Sequence, residues 1–186
     1  AKELRDKLAE TEKRLLEIKH ELDAIAEINS EGTAAMKTNN DVFAVSEEMF
    51  ALYDSLEEKN AIETGIKEYS AVYAEQYRIK FENMLALETL RQVNSGKLFE
   101  ALKILNPVLK LDLSGDFADL DELKRGEVMK KIARAEYGDI YEIKRAFSDA
   151  VKSVYEKKNS GSSGGGKSSG SKSSGGVTSN VPLIPK

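Results

Sequence analysis

The chain has 186 residues, with 28 Lys and Arg against 32 Asp and Glu, one His and no Cys. The absence of cysteine excludes a disulfide framework, a thiolate metal ligand and a cysteine nucleophile, and is compatible with a reducing compartment such as the cytoplasm. Setting aside Lys167, Lys172 and Lys186 leaves 25 basic residues against 32 acidic ones in residues 1–159, a balance that repels nucleic acid and anionic membrane unless charge is locally segregated.

Residues 2–28 carry Leu4, Leu8, Thr11, Leu15, Ile18, Leu22 and Ile25 in strict 4-3 alternation. That is the seam of a coiled coil or of a long helical hairpin. Glu and Lys fill the other positions, with Glu3 and Lys7 in the favourable i, i+4 order. Nothing at Ala1 caps this helix, so further chain upstream is expected. The opening resembles coiled-coil segments in general, among them the delta-type scaffolding segments of phage head proteins, over some 27 residues and without a specific motif. Oligomerisation through this helix is what such a seam implies.

Residues 29–40, with Gly32 and the Asn39-Asn40 pair, read as the connection that turns a second helix back along the first. Asp41 or Ser46 can cap that second helix. From 42 to 93 no proline interrupts a helical pattern, and Val45, Met49, Leu52 and Leu56 form one apolar stripe. Ile62, Ile66, Tyr69, Tyr73 and Tyr77 form a second, followed by Phe81. This predicts one long helix, or two with a break near Asn60. Gly65 weakens it by about 1 kcal/mol relative to Ala.

Asn94-Ser95-Gly96 is read as a helix stop with Gly just past the end. Leu98–Leu105 then makes a short helix ended near Pro107, the sole proline of residues 1–159. After a turn at 111–118, Asp119 or Asp121 opens a helix to about Tyr137. Gly138-Asp139 precedes a last helix with Ile140, Ile143, Phe147, Val151 and Val154 on one face. The expected fold is all-α: a long helical hairpin over 1–93 continuing into an antiparallel bundle of short helices over 94–159.

The search for chemistry returns little. Glu17 and His20 have the spacing of half a di-iron site, but the chain has one histidine, so the other half cannot be built. Asp112–Asp116 starts like a calcium loop and then places Phe117 and Leu123 where Gly and a bidentate Glu are needed. No acid–base pair or triad can be assembled, which points away from an enzyme, and no metal or other cofactor is implied. No run reaches the roughly 20 apolar residues of a membrane span. Residues 124–158 hold ten Lys and Arg against six Asp and Glu, the signature of a solvated basic face more than of a nucleic-acid site. Tyr69, Tyr73, Tyr77 and Phe81 share one helical face and are the candidates for a peptide groove, against the alternative of core packing.

Residues 160–176 contain only Gly, Ser and two Lys, the composition of an engineered, disordered spacer. Val177 to Lys186, VTSNVPLIPK, are different in kind. Val181, Pro182, Leu183 and Ile184 are apolar anchors in a stretch that its prolines bias toward extended backbone. A 17-residue spacer spans about 20–25 Å and holds such a peptide at an effective concentration of order millimolar. The body is therefore expected to be a helical adaptor or scaffold linked to a peptide of its partner. The alternative is a circularly permuted assembly subunit in which 177–186 is the native N-terminal arm leading into Ala1. An inert tag is a third reading.

Overall fold

The computed structural model describes the backbone of residues 1–160 and the side chains of residues 1–157. The linker from 161 onward and the proposed anchors Val181, Pro182, Leu183 and Ile184 lie outside the described residues. Those described form an all-α bundle: α1 (Lys2–Glu31), α2 (Thr33–Thr38), α3 (Asn40–Phe43), α4 (Glu47–Ser55), α5 (Asn60–Glu68), α6 (Ala74–Gln92), α7 (Ser95–Leu109), α8 (Glu122–Ile132) and α9 (Ile140–Ser160).

One hydrophobic core cluster runs from Ala24 to Val154. The central helix is α6, whose Tyr77, Phe81, Leu85, Ala86 and Leu90 are buried and which packs on α3, α4, α5, α7 and α9. The last turns of α1 join this core through Ala24 and Ile28 and pack on α2, α3 and α5.

Four local expectations are corrected. The 29–40 connection is itself helical, with Gly32 alone breaking α1 from α2 and Asn39 breaking α2 from α3. In place of one long helix, residues beyond α3 form three helices, with the break expected as the alternative near Asn60 falling at 56–59 and a second at 69–73. At the first break Leu56 turns extended, and the Lys59 ammonium donates to the Leu56 carbonyl at 2.7 Å, supplying a partner for a helix-end acceptor. The acidic pair Glu57-Glu58 also stands where the C-terminal end of the α4 dipole is negative, which disfavours continuing the helix.

Third, Asn94 starts a helix where a stop was expected. Its side chain accepts the Lys97 amide at 3.2 Å, so α7 begins at Ser95 with Gly96 inside it, as an N-cap asparagine does. Fourth, α7 takes in Pro107 and ends just past it, at Leu109, beyond the expected Leu105. Proline there removes only the bond from its own missing N–H to the Lys103 carbonyl, and the helix runs two residues further. The end is set by Lys110 in the left-handed region and by Asn106, whose side-chain oxygen accepts the Leu111 amide at 2.7 Å.

Other caps follow the sequence. Ser46 accepts from Met49, and Asp121 accepts from Lys124. Asp139 accepts from Glu142. Helix α8 ends at Ile132, short of Tyr137, whose hydroxyl instead donates to the Ile132 carbonyl at 2.9 Å. Gly65 has a packing reason: a Cβ there would meet the Met84 side chain at 2.2 Å, so α5 lies close on α6.

Candidate functional site

The four aromatic residues proposed as a groove do not share a helical face. Tyr69 is the residue at which α5 ends, Tyr73 the one at which α6 begins, and only Tyr77 and Phe81 lie on α6. Tyr77 and Phe81 are core residues, 3% and 0% exposed, whereas Tyr73 is 63% exposed. Tyr69 meets Tyr77 edge-on with ring centroids 5.2 Å apart. Phe81 is closed in by Phe50 and Tyr53, each with its centroid at 5.6 Å.

The helical periodicity is real; what breaks it is satisfied by one of the tyrosines. The Tyr77 hydroxyl donates to the Tyr69 carbonyl at 3.0 Å and accepts the Ala71 amide at 3.3 Å. It thus satisfies two of the polar groups that the break at 69–73 leaves without helical partners, while the Val72 and Tyr73 amides donate to the Gln76 side-chain oxygen at 3.1 and 3.0 Å. Tyr77→Phe is expected to cost about 1–2 kcal/mol, because it orphans two part-buried backbone groups, and to speed amide exchange at Ala71. Unfolding by denaturant together with hydrogen exchange at that amide measures both effects.

A second polar cluster lies where α1, α2, α4 and α5 meet. The Glu63 carboxylate accepts from the Thr33 hydroxyl and the Tyr53 phenol, and at 3.3 Å from the Thr33 amide. Burial, reinforced by the hydrogen bond to Glu63, pushes the Tyr53 phenol up to about 12. Thr33, Tyr53 and Glu63 are thus partnered with one another, and the cluster ties α2, α4 and α5 together.

The remaining sequence candidates have structural partners. His20 meets Asp41 at 2.7 Å, and this hydrogen bond holds the Asp41 carboxyl below its ordinary range. Glu17 sits 4.0 Å from Lys13. The Asp112 carboxylate accepts from the Ser114 amide and hydroxyl and from the Gly115 amide, which closes an Asx turn. These bonds lower its pKa, the Gly115 amide most. No group of three or more His, Cys, Asp or Glu residues that could hold a metal ion occurs among the described residues, nor any helix long and apolar enough to cross a membrane. In the basic segment, Arg125 donates to the Phe117 and Ala118 carbonyls, and Lys124 pairs with Glu127.

Two surface features stand out. One is a cleft of about 460 Å³ between α4, the end of α6 and α7. Leu52, Leu56, Val93, Ala101 and Ile104 supply its apolar walls, with Lys97, Glu100 and Arg134 at its polar side. It has the size and mixed lining of a ligand pocket, and nothing in the sequence singles out its residues as a site. Alternating apolar residues belonging to separate helices leave no common period to detect.

The other is α1. Of the seam, Leu4, Leu8, Leu15, Ile18 and Leu22 are 50–73% exposed, and Ile25 alone packs against the core. Residues 2–20, over five turns, are exposed throughout. Comparison with protein-family models, curated proteins and solved structures finds no match to this chain.

Proposed function

We propose that residues 1–159 form a non-enzymatic helical interaction module for a short apolar, proline-containing segment, represented in this chain by VTSNVPLIPK at 177–186. The observation that carries this reading is the design of the C-terminal end: seventeen residues of Gly, Ser and Lys followed by a decapeptide with four apolar anchors. The cleft between α4 and α7 is the docking surface, because its apolar walls match such anchors and the tyrosine face is filled by the protein's own packing. Residues 161–186 are the chain available to fill it.

The test removes residues 160–186 and titrates synthetic VTSNVPLIPK into the remaining body. Amide resonances of Leu52, Val93, Ala101 and Ile104 should shift in a saturable manner. No perturbation at millimolar peptide would sink the reading.

One observation favours a second reading, an oligomeric assembly subunit in which 177–186 is a permuted native N-terminal arm. The apolar seam of α1 is exposed. Sedimentation of the full chain should then show a dimer or larger species, and Leu15→Asp should dissociate it. A strictly monomeric chain counts against it.

A further inference from the structure

Contiguous apolar patches on a soluble surface mark contact sites far more often than scattered exposed leucines do. The seam of α1 is such a patch, and three properties of it define its occupant.

The first is placement. At about 100° per residue, His20, Glu21, Ala24 and Ile28 cluster on one side of α1. These are the residues that meet the bundle: His20 through Asp41, Glu21 through the Ala74 amide at 2.7 Å, and Ala24 and Ile28 by burial. The stripe of Leu4, Leu8, Thr11, Leu15, Ile18 and Leu22 lies roughly 140° round the helix from them. It continues through Ile25, which is half-buried against the core, to exposed Asn29. From Leu4 to Leu22 the stripe is therefore separate from the face that holds α1 to its own bundle, and it meets the bundle only at Ile25.

The second is flanking charge. Arg5, Glu12 and Lys19 border the stripe on one side, and Lys7, Arg14 and Glu21 on the other. In a parallel, in-register pair opposite borders meet. Lys7 would then face Glu12 of the second copy, but Arg14 would face Lys19. In an antiparallel pair each border meets its own kind. With Leu15 opposite Ile18, Glu12 faces Lys19 and Arg14 faces Glu21. Two-fold symmetry repeats both contacts, giving four attractive pairs and no repulsive one.

The third is register. A slide of one heptad toward the N-terminus puts Glu12 on Glu12, Arg14 on Arg14 and Arg5 on Lys19, against one attractive kind of contact, Lys7 on Glu21. A slide the other way puts Lys19 on Lys19 and Glu21 on Glu21. Only the register with Leu15 opposite Ile18 uses the whole stripe from Leu4 to Asn29. The Glu21 carboxylate is already fixed through one oxygen by the Ala74 amide, which leaves Oε2 for Arg14 of the second copy.

We propose that α1 pairs antiparallel with α1 of a second copy of this chain, centred between Leu15 and Ile18, so that the two bundles lie at opposite ends of the paired helices. This rests on the assembly reading only in taking α1 as the contact surface, and it is independent of the peptide.

The chain has no cysteine, so introduced cysteines report geometry without background. In this register Thr11 lies opposite Leu22 of the second copy, while like positions are about 16 Å apart along the axis. Thr11→Cys mixed with Leu22→Cys should therefore crosslink as a heterodimer under mild oxidation, and neither variant should crosslink alone. Lys19→Glu should weaken self-association in sedimentation by about threefold to tenfold, and Glu12→Lys in the same chain should restore it. All four positions are exposed, so the bundle should stay folded.

Self-crosslinking of Thr11→Cys, or tighter association of Lys19→Glu, would mean a parallel pair and overturn the proposal while leaving the assembly reading intact. A monomer at all concentrations would overturn both. A dimer that forms only after removal of residues 160–186 would give the stripe to the tail and overturn the pairing in the full chain. None of these outcomes bears on the peptide titration, which is read at the cleft.

Discussion

Phe81→Ala is expected to lower the stability of the fold by about 4 kcal/mol, the largest effect of any single truncation in α6. Phe81 is fully buried at the middle of the helix that most of the others pack on. Its ring touches those of Phe50 and Tyr53 from α4, and Tyr53 in turn holds Glu63 of α5. Removing it deletes a large apolar side chain and leaves a cavity between helices that cannot close without moving α4. Urea denaturation of the body measures the loss directly, and the slope of the transition should be unchanged while the midpoint falls. The same variant separates core from groove. A residue lining an open groove would lose peptide affinity with a stability change below about 1 kcal/mol, and such a result would return Phe81 to the surface.

Gly32→Ala is expected to cost about 3 kcal/mol through two effects that act together. Gly32 has φ 58° and ψ −129°, a backbone conformation that glycine alone adopts readily. It ends α1 by donating its amide to the Ile28 carbonyl at 2.8 Å while the chain turns into α2. A Cβ would also stand 2.2 Å from a Glu63 carboxylate oxygen and 3.0 Å from the Lys67 side chain. Relieving that clash moves Glu63 away from the Thr33 amide and the Tyr53 phenol. Stability should drop in denaturant, and the Tyr53 phenol should ionise below its value of about 12, while burial, the larger cause, still holds it above the ordinary 10.0. The sign follows from the raised folded-state value. The stability linked to this phenol is present below pH 10 and is lost as pH rises toward 12. An alkaline titration followed by tyrosinate absorbance, run on both proteins, checks this. An unchanged Tyr53 would show that Glu63 had not moved.

The local features legible from sequence were those with a local cause. The 4-3 seam of α1, the capping residues Ser46 and Asp121, and the helical face of Ile143, Phe147, Val151 and Val154 all come from spacing or from a side chain bonding its own backbone. Of the breaks within 42–93, the one beside Asn60 was legible as an alternative and the one at 69–73 was not. Tyr69, Tyr73 and Tyr77 keep helical spacing through the second break, and the Tyr77 hydroxyl that bridges it acts across eight residues and two helices. Asn94 misleads because an asparagine before glycine suits the end of one helix and the start of the next equally well. The α4–α7 cleft was invisible because its walls come from helices far apart in sequence.

Sequence alone determined that this chain is helical, because helix propensity, periodicity and most caps are properties of neighbouring residues. It also determined that α1 carries an apolar seam bordered by charges of both signs, since that pattern needs nothing beyond residues 4–25. Tertiary structure decided which apolar faces enter the core. Tyr77 and Phe81 are covered by packing against α3, α4 and α5, whereas the seam of α1 is left exposed because Ala24 and Ile28, on the other side of the helix, are what the bundle holds. Both stripes have the same amphipathic signature. Burial is a property of what lies opposite, and only the folded chain supplies that.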